Sequence, residues 1–391
     1  MKKVLFINTV FDGGGAAKIV RTLFDYTDKQ PDVEAYFAYG RGKNVYKNRV
    51  YKFGIFFEVL FHIFIVRILG IDGCGTYFST KRLINYIKKN KFDLVHLHNL
   101  HGYYLNYKLL LNFLNKLNIP IIWTLHDEWA LTWLPAHSMG CQHCISAEGK
   151  CINRYLYPKT YNKIFANWSL KRKINLISSI SNLTFVSPAK WLAKKVNLVY
   201  PKLTVKIIVN SVSFSIINID KKLLREKYNL GQNKKIVLFS SGNLNDPNKG
   251  LKYIIKIASN LIKEKDIVFV LVGQGKKKKL SNIVYLGYLN EKQMEEVYAL
   301  SDMYCFFSEA ETMPLSLLEA KSAGLYIFSM DISASKEVLE DYERCFFVNN
   351  NSIFLLKDKI LNLDINFQKR KNVRYYNTID FCQEYFKIYL S

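Results

Sequence analysis

The chain has 391 residues, room for two or three domains with cores of their own, so no disulfide staple is needed. Hydrophobic residues are 49% and charged residues 23%, which argues against a disordered chain, and 19 Gly with 8 Pro argue against a fibrous one. Lys and Arg number 56 against 32 Asp and Glu, a net +24, so the expected partners are anionic: nucleic acid, an acidic membrane face or phosphorylated substrates.

The elements follow in chain order. Met1-Lys2-Lys3 leads only into the short apolar run Val4-Leu5-Phe6-Ile7, a buried strand rather than a secretory signal. The strand runs over 4–8, followed by the loop Asp12-Gly13-Gly14-Gly15 and a helix over 16–26. The apolar stretch Phe53 to Leu69 carries Glu58, His62 and Arg67, which a membrane span tolerates poorly. It reads as a buried or interfacial amphipathic helix, and a cytoplasmic location is expected. A strand over 93–98, a Leu-rich helix to 117, a break at Pro120 and a strand over 121–125 come next. Another strand begins at Phe185-Val186, and a helix at Ala189.

The pattern then restarts. A strand is expected over 206–210, a polar Lys-rich link over 213–235, and a strand over 236–240. A loop over 241–250 and a helix over 251–263 follow, then strands over 267–272, 304–307 and 325–330 with a helix over 315–323. Repeated β-α units predict parallel, doubly wound sheets. The expected fold class is α/β, two Rossmann-like domains facing each other across a cleft, residues 1–205 and 206–370. Residues 371–391 are expected to form a C-terminal helix that packs back on the first domain. Ligands of such sheets bind at the carboxyl ends of the strands.

Several clusters at those ends could carry chemistry. Gly13-Gly14-Gly15 lets backbone approach an anion at a helix N-terminus, although the G-x-G-x-x-G spacing is absent and a tight turn is the plainer reading. Strand alternation puts His96 and His98 on one side, with Asn99 and His101 just beyond, and His126-Asp127 ends the next strand. Two strands thus bring imidazoles to one rim, unless each is a satisfied structural histidine. A His-rich metal site is disfavoured, because no His-x3-His spacing occurs. Cys141-x2-Cys144-x6-Cys151, with His137 and His143, is half of a zinc-knuckle pattern; a loop over the cleft is the favoured reading, and no metal is expected. Asn243 to Gly250 offers Lys249 at a helix start, suited to a diphosphate or merely solvated. Glu311 lies in a loop and Glu319 in the following helix. Helix amides between Thr312 and Ser316 suit phosphate oxygens, and the two carboxylates suit sugar hydroxyls. The run Lys276 to Lys279 is a solvated face or an attractor of anions.

Together these pieces resemble a GT-B glycosyltransferase of the large retaining family, family 4, over nearly the whole chain. Its E-x7-E signature matches Glu311 and Glu319 within Ser308 to Ala320, and Gly324 also fits. The N-terminal half is similar to bacterial exopolysaccharide and O-antigen transferases of the colanic-acid type, through His96-Leu97-His98-Asn99, His101 to Asn106, Trp123 to Trp129 and the cysteine loop. The resemblance implies that Glu319 binds the nucleotide ribose and Glu311 the transferred sugar. It implies that Thr312, Met313, Pro314 and Leu315 surround the diphosphate and that Lys249 binds phosphate; the glycine loop itself adds Gly14 and Gly15 as backbone able to approach the ligand. His98, or less directly His126, would sit by the reacting sugar, and Asn210 near the hinge. The implied reaction moves a sugar from a UDP- or GDP-sugar to a hydroxyl, without cofactor or metal; the basic surface and the apolar stretch Phe53 to Leu69 suit a lipid-diphosphate-linked acceptor at the cytoplasmic face of the inner membrane. Three positions depart from the family: Asn243 follows Gly242 where an Arg is usual, Met313-Pro314 replaces Phe-Gly, and Trp133 to Ala136 replaces Thr-Gly-x-Cys. The rival readings are a nucleotide-sugar epimerase on the same scaffold, a non-catalytic scaffold, and a basic nucleic-acid binder. The last is disfavoured because no binding module is present and the basic residues are spread along the chain.

Overall fold

The computed structural model describes residues 1–141, 144–145, 157–212, 220–275, 278–349, 352, 355–364 and 377–390. The chain divides into two units, residues 1–210 with the last helix, and residues 211–378.

In unit 1 the elements are β1 (Lys2–Val10), α1 (Gly14–Thr27), β2 (Val33–Arg41), β3 (Val50–Lys52), α2 (Phe56–Leu69), α3 (Tyr77–Asn90), β4 (Leu94–Leu97), α4 (Tyr107–Leu117), β5 (Ile121–Thr124), α5 (Ala166–Ser178), β6 (Leu183–Ser187), α6 (Lys190–Val199) and β7 (Thr204–Ile207). The seven strands form one sheet in the order β3-β2-β1-β4-β5-β6-β7, and every pair is parallel. Helices cover both faces of such a sheet, so its strands read as continuous apolar runs rather than alternating ones. Val4, Leu5, Phe6 and Ile7 of β1 are accordingly all buried.

Unit 2 contains α7 (Lys221–Lys227), β8 (Lys235–Asn243), α8 (Leu251–Asn260), β9 (Ile267–Gln274), β10 (Ile283–Gly287), α9 (Glu291–Leu300), β11 (Met303–Phe306), α10 (Leu315–Ser322), β12 (Tyr326–Met330), α11 (Ser333–Val338), β13 (Cys345–Val348) and α12 (Leu356–Asn362). Its parallel sheet runs β10-β9-β8-β11-β12-β13. The core lies between sheet and helices, with Val237, Phe239, Ile254, Phe269, Leu271 and Phe328 buried in it. The last helix, α13 (Thr378–Leu390), follows unit 2 in sequence and packs in unit 1.

Four details differ from the sequence expectations. The strand expected over 206–210 is β7, two residues earlier, and it pairs with β6, so unit 1 runs to Asn210 instead of 205. The expected link over 213–235 contains α7, whose Arg225 is buried and pairs with Asp302 at 2.9 Å; Lys221 reaches the other oxygen of Asp302 at 2.5 Å. Helix α8 ends at Asn260 rather than 263. Gly14 and Gly15 open α1 instead of preceding it.

Strand order decides where a site can form. In each sheet the first strand has its successors on one side and the later strands on the other. That reversal opens a crevice at the carboxyl ends of β1 and β4 in unit 1, and of β8 and β11 in unit 2.

Candidate active site

In unit 1, β1 and β4 run side by side, and the His98 N–H donates to the Ile7 carbonyl at 3.0 Å just past the end of β4. Helix α1 starts after β1 with Gly13 at φ 107°, and has neither a side-chain cap nor an acidic residue in its first turn. A Cβ at Gly13 or Gly14 would meet nothing within 4 Å. Gly14 and Gly15 therefore offer uncapped helix amides at the crevice.

The histidines separate into roles that sequence spacing did not show. His98 is fully buried, whereas His126, past the end of β5, is half-buried. Their rings stack with centroids 5.3 Å apart, and His98 Nδ1 lies 3.0 Å from His126 Nε2. The Trp123 indole donates to the His98 carbonyl at 2.9 Å and fixes that backbone. The more accessible imidazole is thus His126, with His98 behind it. His96 is not on the rim at all. It is buried, with Nδ1 2.8 Å from the Tyr389 hydroxyl and Nε2 2.8 Å from Thr124 Oγ1.

Burial keeps His96, His98 and His126 neutral. Burial, His96 and His126 push His98 well below the ordinary histidine value. Burial lowers His126 to about 4, with Asp127 opposing and His101 adding to the shift. Burial disfavours the Asp127 carboxylate, but His101 at 2.5 Å outweighs it and holds the carboxyl down at about 2. Asp127 also accepts the Trp129 N–H at 2.9 Å. Among the described residues, His98 Nε2 and His101 Nδ1 are buried without a hydrogen-bond partner. His98, His101, Trp123, His126, Asp127 and Trp129 line a small cavity.

Two further residues support this site: Glu128, within the stretch Trp123 to Trp129, and Lys173, which gave no sequence signal. Lys173 of α5 is buried, donates to the Trp129 and Thr132 carbonyls at 3.0 Å each, and sits 3.5 Å from the Trp129 ring centroid. Burial pushes its ammonium down to about 7. Glu128 accepts from the Ser138 N–H at 2.6 Å and pairs with Lys195 at 2.6 Å. Both pin the turn that follows His126.

In unit 2 the loop after β8 meets the loop after β11. Gly250 adopts φ 79°, and a Cβ there would come within 2.3 Å of the Phe307 carbonyl oxygen, so only glycine allows this approach. The Glu309 N–H donates to the Asn248 carbonyl at 2.9 Å. These contacts bring Lys249 and Glu311 into a half-buried ion pair, Nζ to Oε1. Burial works against the Lys249 charge, but Glu311, with Asp246, outweighs it and holds the ammonium above its ordinary value.

Glu319 lies in α10, half-buried, and hydrogen-bonds the buried Tyr298. The Tyr298 hydroxyl also lies 3.2 Å from the Ser316 carbonyl oxygen. Thr312 and Met313 are buried. Pro314 sits at the N-cap and has no N–H to give, and α10 starts at Leu315 without a side-chain cap or a first-turn acid. Glu311 is therefore assembled with Lys249, and Glu319 with Tyr298.

Of the cysteine loop, Cys141 and Cys144 are described and reduced, while Cys151 and His143 lie outside the described residues. Among the described residues no group of three or more His, Cys, Asp or Glu could hold a metal ion. Lys276 and Lys277 also lie outside them.

Helix α2 inverts the usual surface pattern. It buries Val59, His62 and Val66, and turns Phe57, Leu60, Phe61, Phe64 and Ile68 outward, with Phe57 78% exposed. Glu58 is occupied by the Phe78 and Ser79 N–H groups at 2.8 and 2.7 Å. Among the described residues no helix is long and apolar enough to cross a membrane.

Comparison with known proteins agrees with this construction. Residues 13–189 match the family profile Glycosyltransferase Family 4, and residues 220–379 match Glycosyl transferases group 1. The chain is 25% identical, over 358 residues covering 86% of it and 85% of the relative, to WcaC of Escherichia coli (strain K12), named a colanic acid biosynthesis glycosyl transferase. It is 23% identical over 274 residues to a 41.2 kDa protein of the Klebsiella pneumoniae cps region, covering 66% of each chain. The fold is shared with sucrose-phosphate synthase from Thermosynechococcus elongatus (TM-score 0.69, 13% identity, 100% and 98% of the two chains). It is also shared with WaaG, a glycosyltransferase involved in lipopolysaccharide biosynthesis (0.68, 12%, 98% and 99%), and with Anabaena HepE solved with UDP and glucose (0.65, 14%, 99% of each). With one glycosyltransferase profile on each of two parallel-sheet units, the chain is a glycosyltransferase of GT-B fold.

Proposed function

We propose that this glycosyltransferase moves a sugar, with retention, from a UDP- or GDP-sugar to a lipid-diphosphate-linked saccharide in the assembly of a surface polysaccharide. The observation that carries the reading is the Lys249–Glu311 pair at the strand-order reversal of unit 2. A diphosphate would take Lys249 from Glu311, releasing the carboxylate to accept sugar hydroxyls. Lys249 and the first-turn amides of α10 then stabilise the charge that develops on the departing diphosphate, the main electrostatic task of the reaction. Glu319 binds the ribose, and His126, backed by His98, contacts the sugar. The names of WcaC and WaaG and the cps-region relative support a polysaccharide product, and UDP with glucose in HepE supports the donor class.

The acceptor reading rests on α2. Its outward aromatic face continues through exposed Tyr77 and Phe78, with Lys81 5.5 Å from the Tyr77 ring, and Arg67 is exposed beside it. Aromatic side chains beside cations suit the anionic cytoplasmic face of a membrane. Phe57→Glu with Phe61→Glu is expected to release the protein from anionic vesicles. Full recovery of the unaltered protein in the low-salt soluble fraction, with none on vesicles, would count against a membrane site.

The donor test is thermal stabilisation by UDP, GDP, ADP and their sugars without added metal. Ligand at ~100 times its dissociation constant adds about 2.7 kcal/mol. A shift with one nucleotide family, lost in Glu319→Ala, supports the reading. No shift with any of them favours a scaffold, and conversion of the donor sugar without acceptor favours an epimerase.

A further inference from the structure

We propose that Tyr389 and Tyr385 of the last helix are positioning residues for the site histidines: they clamp His96, which holds His98 in place so that His126 presents an Nδ1–H donor. The inference rests on the reading above that His126 contacts the sugar.

Both ring nitrogens of His96 are taken by hydroxyls, Tyr389 on Nδ1 and Thr124 on Nε2, each at 2.8 Å. Tyr385 completes the chain, its hydroxyl 2.9 Å from Thr124 Oγ1. The Tyr385 ring stacks on His96 with centroids 5.4 Å apart, and Phe6 lies against both His96 and His98. Turning the His96 ring would break two buried hydrogen bonds at once. The next ring, His98, lies 4.1 Å from His96 between centroids and so inherits a fixed plane.

The proton positions follow from satisfaction. His98 has one partnered nitrogen, Nδ1 facing His126 Nε2 at 3.0 Å, and a buried Nε2 with no partner among the described residues. A buried N–H without an acceptor costs more than a buried lone pair without a donor. His98 therefore carries its proton on Nδ1 and donates it to His126 Nε2. With Nε2 accepting, the proton of neutral His126 sits on Nδ1. The accessible ring then offers a hydrogen-bond donor to a sugar oxygen and has no lone pair with which to act as a base. The partners that hold the ring planes in which this state forms lie at the far end of the chain, on a helix that follows all of unit 2 in sequence.

The test reads tautomers directly, on the full chain with 15N-labelled histidine and no sugar present. Long-range 1H–15N correlation spectra should show His98 and His126 each as a single Nδ1–H tautomer from about pH 6 to 8, near the ordinary histidine range. Tyr389→Phe should turn both into tautomer mixtures while amide signals elsewhere stay put. Once a donor and acceptor are in hand, turnover should fall by about tenfold to a hundredfold, with KM for the donor nearly unchanged. Tyr385→Phe breaks the more remote bond and should give the same change at smaller amplitude; it serves if Tyr389→Phe does not fold. An Nε2–H tautomer at His126 in the unaltered protein, or single Nδ1–H tautomers that survive both substitutions, overturns the inference. Failure of the transfer reading would show separately, as no donor binding with the tautomers as expected.

Discussion

Both units wind their strands outward from a first strand and place polar groups where the order reverses, yet the two sites are built oppositely. Unit 1 closes its polar groups on one another: neutral imidazoles, buried hydroxyls and a half-buried carboxylate satisfied by His101 and a backbone N–H. Unit 2 sets a lysine against a glutamate on two loops, both partly open to solvent. The first arrangement keeps His96, His98 and His126 uncharged, suited to orienting a neutral sugar. The second is an exchangeable pair, suited to a polyanion that replaces one member. All seven histidines of the chain precede residue 144, so unit 2 contains none.

The largest expected effect separates a structural ion pair from a functional one within unit 2. Asp302 is buried with Arg225 and also accepts the Ile236 N–H at 2.8 Å. Asp302→Ala leaves Arg225 buried and unpaired and is expected to cost about 3–5 kcal/mol. Chemical denaturation monitored on unit 2 checks this, and a loss under ~1 kcal/mol would mean that water reaches Arg225.

Lys249→Ala, by contrast, should leave the denaturation midpoint close to that of the unaltered protein, because the pair is half-exposed. Turnover should fall by about a hundredfold to a thousandfold, the usual loss when one preorganised donor to a developing anion is removed. Steady-state rates beside a melting curve settle the contrast. Equal loss of stability and turnover would make Lys249 a structural residue.

The pH dependence probes the other side of the comparison. His96, His98 and His126 all have folded values below the ordinary 6.5, that of His126 at about 4. The unfolded chain thus binds more protons as pH falls through 6.5. Their contribution is fully present above that value and is lost on acidification, at up to about 1.4 kcal/mol per pH unit for each group. Asp127 acts in the same direction only lower, between 3.8 and about 2. Unit 1 should therefore lose stability between about pH 6.5 and 5 while unit 2 does not. Melting curves with a probe on each unit would show it, and parallel loss in both units would refute the assignment to the histidines.

Much of the architecture was legible in sequence because its signals are local. Apolar runs of four or five residues ended by Gly, Asn or His marked the strand ends, and the restart of the β-α pattern marked a second sheet. The E-x7-E spacing pointed to Glu311 and Glu319, and a lysine at a helix start pointed to Lys249. The weaker readings failed where a partner lay far away. The segment 213–235 looked like a polar link because the buried partner of Arg225 is 77 residues downstream. The placing of His96 on the rim with His98 failed because alternation says which side a residue faces, not how deep it lies.

By itself the sequence determined the class of fold and which side chains reach the strand ends, since periodicities of two and 3.6 are set by covalent geometry within a few residues. Tertiary structure alone decided which imidazole is accessible, which strand lies beside which, and that Tyr389 satisfies His96 across 293 residues. Burial and hydrogen-bond partnership depend on what the folded chain brings alongside, and no local pattern records that.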